Sequence, residues 1–264
     1  MMSRTLQLSD GLSVRFLDAG AGEPVVLIHG VGMRAEAWRP QFPDLVKDHR
    51  VIAVDLPGHG QSDPLKGAPQ LVDYVDWAAQ VIRALGLGPV SVAGHSMGSL
   101  IAAGLAVDHV SLVRRAALLN GVFRRSPEAK AAVIARAAEI SAGYVGIDGP
   151  LSRWFGAEYA DVRDCVADWL RTVSVPGYAA AYSAFAQGDC TYADKFGMIR
   201  CPLLVLTADG DANSTPAMAK AMAALAAHGR AVVIEGHRHM VNLTAPDAVT
   251  HELRHWLATE EAVI

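Results

Sequence analysis

Val90-Ser91-Val92-Ala93-Gly94-His95-Ser96-Met97-Gly98-Ser99-Leu100 is the stretch on which the reading of this chain turns. The apolar run Val90 to Ala93 predicts a buried strand, and Met97 to Ala106 predicts a helix. Between them stands Ser96, with Gly94 and Gly98 two residues to either side. This is the G-x-S-x-G pattern of a strand–turn–helix that lifts a serine hydroxyl into a cleft. Side chains at the two glycine positions would collide with neighbouring backbone in so sharp a turn. A chance glycine–serine turn matches the same letters, so the rest of the chain must decide.

Working outward, the text alternates strands and helices. Leu6–Leu8 and Leu12–Leu17 flank Asp10-Gly11, a hairpin signal. Val25 to Ile28 and Val51 to Val54 are continuous apolar runs, as in strands covered on both faces. The first ends in His29-Gly30-Val31-Gly32, the second in a turn-rich loop from Asp55 to Ser62. Helices are expected over 38–46 and 71–85, and a strand over 113–119. From Ser126 to Gln187 only helices are read, opening with a capping Ser126, Pro127 and Glu128. Alternation then resumes: strand 202–208, helix 216–227, strand 231–235, helix 246–258. Repeated strand–helix units imply a mostly parallel sheet with helices on both faces. The expected organisation is a core of residues 1–122 and 191–264, with a helical cap inserted at 123–190.

Composition narrows the partners. The chain has 264 residues, 52% hydrophobic and 19% charged, which suits one large α/β domain with an insertion. Net charge is −4, and Arg114-Arg115 and Arg124-Arg125 are only pairs, which speaks against nucleic acid. Cys165, Cys190 and Cys201 are odd in number and not spaced for zinc, so they read as reduced thiols. Met1 to Asp10 has no apolar signal core, and no apolar run approaches the roughly 20 residues of a membrane span. A soluble cytoplasmic protein without membrane partner, metal or cofactor is expected.

A serine hydroxyl needs a base to take its proton, and the base needs an acid to orient it. Asp209 and Asp211 follow the strand ending at Ala208, and His237 and His239 follow the strand ending at Glu235. Asp211 is preferred because it lies further out on its loop. His239 is preferred because it sits deeper in its loop, before Met240-Val241. Oxyanion donors are expected from the N–H of Met97, after the nucleophile, and of Val31, in the loop after an earlier strand. His29, His59 and His95 read as loop-packing residues rather than bases, and Trp38 as core.

His29-Gly30, Asp55-x-x-Gly58-x-Gly60-x-Ser62, Gly94-x-Ser96-x-Gly98, Asp211 and His239 together resemble the α/β-hydrolase family over almost the whole chain. Within it the chain looks most like the 3-oxoadipate enol-lactonase branch, on Arg153-Trp154-Phe155, Tyr178 to Phe185, Asp189 and Ile199-Arg200-Cys201-Pro202. The resemblance implies hydrolysis of a small ester or enol-lactone, often carboxylated, through an acyl-enzyme on Ser96. His95 departs from the leucine that such lactonases often carry before the nucleophile. Trp154, Tyr182 and Phe185 are candidate pocket walls, and Arg124 or Arg153 a partner for a substrate carboxylate. The rivals are a carbon–carbon bond hydrolase of ring-cleavage products, with a similar triad, and a ligand-binding protein that kept the pocket.

Overall fold

In the computed structural model, which describes residues 1–260, the Asp10-Gly11 turn joins β1 (Met2–Gln7) to β2 (Ser13–Ala19) as an antiparallel hairpin. Gly11 supplies the turn's positive φ of 88°, and Asp10 Oδ1 accepts the Leu12 N–H. Six further strands follow: β3 (Glu23–Ile28), β4 (His49–Val54), β5 (Val90–His95), β6 (Val113–Leu119), β7 (Leu203–Ala208) and β8 (Gly229–Ile234). All eight form one sheet in the order β1-β2-β4-β3-β5-β6-β7-β8, parallel from β4 to β8.

The helices are α1 (Phe42–Leu45), α2 (Leu71–Ala84), α3 (Met97–Asp108), α4 (Pro127–Ser141), α5 (Asp148–Trp154), α6 (Ala160–Thr172), α7 (Val175–Gln187), α8 (Pro216–Leu225), α9 (Val241–Thr244) and α10 (Pro246–Leu257). The segment between β6 and β7 contains α4 to α7 and no strand. Ser126 caps α4, its hydroxyl accepting the Ala129 N–H at 3.2 Å. Among the described residues, no helix is long and apolar enough to cross a membrane.

Successive side chains on a strand face opposite ways. On β3, Val25 and Leu27 pack with Trp38, Leu45 and Trp256, while Val26 and Ile28 pack with Val75, Ile101 and Leu105. Each such burial contributes about 1.5–3 kcal/mol, and two layers of it explain the unbroken apolar runs. The helix expected over 38–46 takes another form: a 3-10 segment over Ala35–Gln41, then the single turn α1. Pro40 and Pro43 have no N–H to carry one continuous helical ladder. Trp38 is fully buried.

The sheet order reverses at β3, whose neighbours are β4 on one side and β5 on the other. Such a switch point opens a crevice beyond the carboxyl ends of the strands. The loops after β3 and β5 leave from there.

Candidate active site

Ser96 sits between β5 and α3 with φ 54° and ψ −115°. A non-glycine residue held there carries strain of about 1–3 kcal/mol. Its N–H is anchored on the Leu119 carbonyl at 2.8 Å. The flanking glycines are sterically required. A Cβ on Gly94 would lie 1.9 Å from the Gly98 carbonyl oxygen, and one on Gly98 would lie 2.2 Å from that of Ile28.

The structure brings Ser96, Asp211 and His239 together from 143 and 28 residues apart. His239 Nε2 is 3.2 Å from Ser96 Oγ, and its Nδ1 is 2.8 Å from Asp211 Oδ2. With Asp211 ionised, Nδ1 carries the ring proton and Nε2 turns its lone pair to the hydroxyl. A ring so placed can take the Oγ proton and return it to a leaving group. Asp211 also accepts from Asn120 Nδ2 at 2.8 Å and from the N–H groups of Asn213 and Ser214 at 2.8 and 3.2 Å. Burial pushes its carboxyl up, but His239, Asn120 and the Asn213 N–H outweigh it and hold the pKa below its ordinary value. Asp209 and His237 have other partners. Asp209 accepts the Gly236 N–H at 2.8 Å, and His237 Nδ1 lies near the Tyr159 and Thr244 hydroxyls at 3.1 and 3.0 Å.

The loop after β3 lies against Ser96: a Cβ on Gly30 would be 2.9 Å from that of Ser96. It forms a turn in which the Met33 N–H meets the Gly30 carbonyl at 3.1 Å and the Gly32 N–H meets His59 Nε2 at 2.9 Å. Those bonds leave the Val31 N–H out of the turn's own ladder, at a cavity wall shared with Ser96 and His239. Met97 is the first residue of α3, where helical N–H groups have no carbonyl one turn back. Two donors in these positions can receive the charge of a tetrahedral intermediate. His29 and His59 brace the loops, His29 Nε2 accepting the Leu56 N–H at 2.9 Å. Burial lowers their pKa values to about 4 and about 3, so both are neutral acceptors.

A cavity of about 560 Å³ opens over Ser96, between the strand ends and helices α4, α5 and α7. Arg153, Trp154, Tyr182 and Phe185 line it. The Trp154 indole lies over the His239 ring, centroids 5.8 Å apart. Arg124 does not line it. This residue has φ 47°, so the chain turns and its half-exposed guanidinium pairs with Asp194 outside. Arg125 takes the inner place, over the Phe185 ring at 4.4 Å. Its Nη1 is 3.4 Å from the buried Asp189, and its Nη2 is buried without a hydrogen-bond partner among the described residues. Arg136 is a third guanidinium in the wall. Arg125, Arg136 and Asn120 escaped the sequence reading. The pair Arg124-Arg125 was its one hint, and the direction of each side chain was not legible in it. Among the described residues, no group of three or more His, Cys, Asp or Glu is placed to hold a metal ion.

A doubly covered parallel sheet, a serine on a strained strand–helix turn and a histidine–carboxylate pair against it define a hydrolase of the α/β class. The chain belongs to the alpha/beta hydrolase family, whose pattern matches residues 25–252. It is 51% identical to the (E)-2-((N-methylformamido)methylene)succinate hydrolase of Acinetobacter baylyi, over 98% of this chain and 99% of that one. A 2-hydroxymuconate semialdehyde hydrolase of a Pseudomonas is 38% identical over 43% of this chain and 41% of its own. Among solved structures, the enol-lactonase of Burkholderia xenovorans is similar with a TM-score of 0.85 and 25% identity, covering 97% of this chain and 100% of that one. A thermophilic esterase of Thermogutta terrifontis reaches 0.88 at 26% identity, covering 97% and 98%.

Proposed function

We propose that this hydrolase cleaves an acyl bond in a small dicarboxylate, (E)-2-((N-methylformamido)methylene)succinate or a molecule built like it, through an acyl-enzyme on Ser96. The observation that carries the reading is the cavity over Ser96, whose lining includes three arginines, Arg125, Arg136 and Arg153. Guanidinium groups bind carboxylates in charge-assisted, often bidentate pairs. The full-length relative supports the same class, since its named substrate carries two carboxylates. That substrate has no ester and no ring. Its one acyl carbon besides the carboxylates is the formyl carbon of the formamide, which moves the reading from an ester or lactone to an amide.

Ser96 Oγ attacks the formyl carbon as its proton passes to His239 Nε2. The N–H groups of Val31 and Met97 receive the oxyanion. Collapse breaks the carbon–nitrogen bond, and His239 delivers its proton to the departing enamine, whose electron pair is delocalised towards a carboxylate. Water then attacks the formyl ester, gives a proton to His239, and formate leaves as Oγ is reprotonated. The Trp154 indole covers the His239 ring through these steps. An ester or enol-lactone with the same carboxylates would follow the same path with oxygen as the leaving atom.

The test is formate release from the named substrate beside N-methyl-N-vinylformamide, which lacks both carboxylates. Each charge-assisted bond is worth about 1.5–3 kcal/mol, so kcat/KM is expected to be at least about 10²-fold higher for the dicarboxylate. Turnover of a lactone or a ring-cleavage diketone, with no formate from the formamide, would replace the amide reading by one of those.

A further inference from the structure

We propose that His95 is a positioning residue for the base, its Nε2–H holding the main-chain carbonyl of His239 and so setting the reach from His239 to Ser96. The proposal rests on the serine-hydrolase reading above. His95 is the last residue of β5 and the immediate neighbour of the nucleophile. His95 is 2% exposed, and its Nε2 is 2.8 Å from the His239 carbonyl oxygen. The two rings are tilted at 54° with centroids 5.1 Å apart. One hydrogen bond therefore ties the strand that carries Ser96 to the loop that carries its base, across 144 residues of sequence.

His239 belongs to the stretch between β8 and α9, which has no ladder of its own to fix it. Asp211 orients the ring of His239 from one side, and His95 holds its backbone from the other. A carbonyl only accepts, so His95 must carry its proton on Nε2. Burial, and then the neighbouring His239, lower the His95 pKa to about 3, so the ring is uncharged at neutral pH. Its Nδ1 edge meets the loop after β3, 3.2 Å from where a Gly30 Cβ would stand. His95 thus touches the segments that carry the nucleophile, the base and the Val31 donor. Leucine has no donor to offer here, so it removes the tether and keeps an apolar side chain.

The experiment compares His95→Leu and His95→Gln, the second placing an amide N–H at about the reach of Nε2. The readouts are kcat and KM on the best substrate, and the rate at which a fluorophosphonate probe labels Ser96. Misplacing a reacting group by about 1 Å costs up to about 10²-fold. The leucine variant is therefore expected to lose between about tenfold and 10²-fold in kcat and in labelling rate. KM stays within about twofold, and the glutamine variant recovers most of the loss. Leucine protein that turns over and labels at the wild-type rate would overturn the proposal, as would a glutamine variant as slow as the leucine one. Wild-type protein that neither labels nor hydrolyses would overturn the serine-hydrolase reading itself. If the variants do not fold, ¹⁵N spectra of the wild-type imidazoles decide: the proton on Nε2 of His95 upholds the tether, and the proton on Nδ1 overturns it.

Discussion

At the residue scale, the site depends on a few polar atoms whose partners are countable. Asp211 accepts hydrogen bonds from His239, Asn120, Asn213 and Ser214 while its side chain is 1% exposed. Asp211→Asn keeps the shape but presents a neutral acceptor and favours the wrong imidazole tautomer. Such a change costs about 10⁴ in kcat in a comparable triad, and steady-state kinetics at pH 7.5 checks it. Arg125 faces Asp189 on one side and the cavity on the other. Removing it alone would leave the buried Asp189 carboxylate to Lys130, at 3.7 Å, and the residue-125 N–H, a loss of up to about 3–5 kcal/mol. The informative variant is Arg125→Leu with Asp189→Asn, which removes both charges. KM for a dicarboxylate is expected to rise by about 10-fold or more with kcat nearly unchanged, since lost uniform binding acts on KM. A fall in kcat alone would count against a binding role. The order serine, aspartate, histidine was legible because each residue follows an apolar run that reads as a strand. The choice between Arg124 and Arg125 was not. One residue at φ 47° reverses which of the pair points inward, and local text does not encode that angle. Asn120 was not legible as part of the site, because its bond to Asp211 spans 91 residues.

At the element scale, the loop carrying His239 is fastened to α5. One Arg238 guanidinium nitrogen donates to the carbonyls of Ser152 and Phe155 at 2.9 and 2.8 Å, at the helix end where carbonyls lack helical partners. Tyr159 lies on the His237 ring nearby, centroids 5.6 Å apart. Arg238→Ala removes two bonds worth about 1 kcal/mol each. Amide exchange across Asp148–Trp154 is then expected to quicken by about tenfold or more, read by mass spectrometry, and unchanged protection there would refute the fastening. Helices α2, α4 and α10 were readable from period and capping signals. Helix α5 was not: it has seven residues, among them Gly149 and Pro150, too short and too poor in helix formers to show a period. Yet it presents Arg153 and Trp154 to the cavity.

At the scale of the whole molecule, the mostly parallel sheet places its loops at one rim and buries three further imidazoles behind them. His29, His59 and His95 are at most 2% exposed, with burial lowering their pKa values to about 4, 3 and 3. Unfolded histidine titrates near 6.5, so below that pH the unfolded chain binds protons the folded one refuses. Stability is thus full above about pH 6.5 and falls as the pH drops, by roughly 2 kcal/mol for each histidine at pH 5. Three such losses are a large part of the roughly 5–15 kcal/mol that holds a domain together. Urea midpoints are expected to fall steeply from pH 7.5 to 5, and a flat series would show the three rings to be open to protons in the folded state. The sheet itself was legible because strands covered on both faces are apolar throughout; of the crevice over it, Arg153, Trp154, Tyr182 and Phe185 were legible as candidate walls, while Arg125 and Arg136 were not, because those side chains meet the site only after folding. In the proposed reaction Ser96, activated by His239 and Asp211, forms and then loses the bond to the acyl group. Formate release from (E)-2-((N-methylformamido)methylene)succinate by wild-type and Ser96→Ala protein tests it most directly. Ready release by the wild type is expected, with a rate lower by about 10⁶ in the variant; equal rates from the two proteins would rule out Ser96 as the nucleophile.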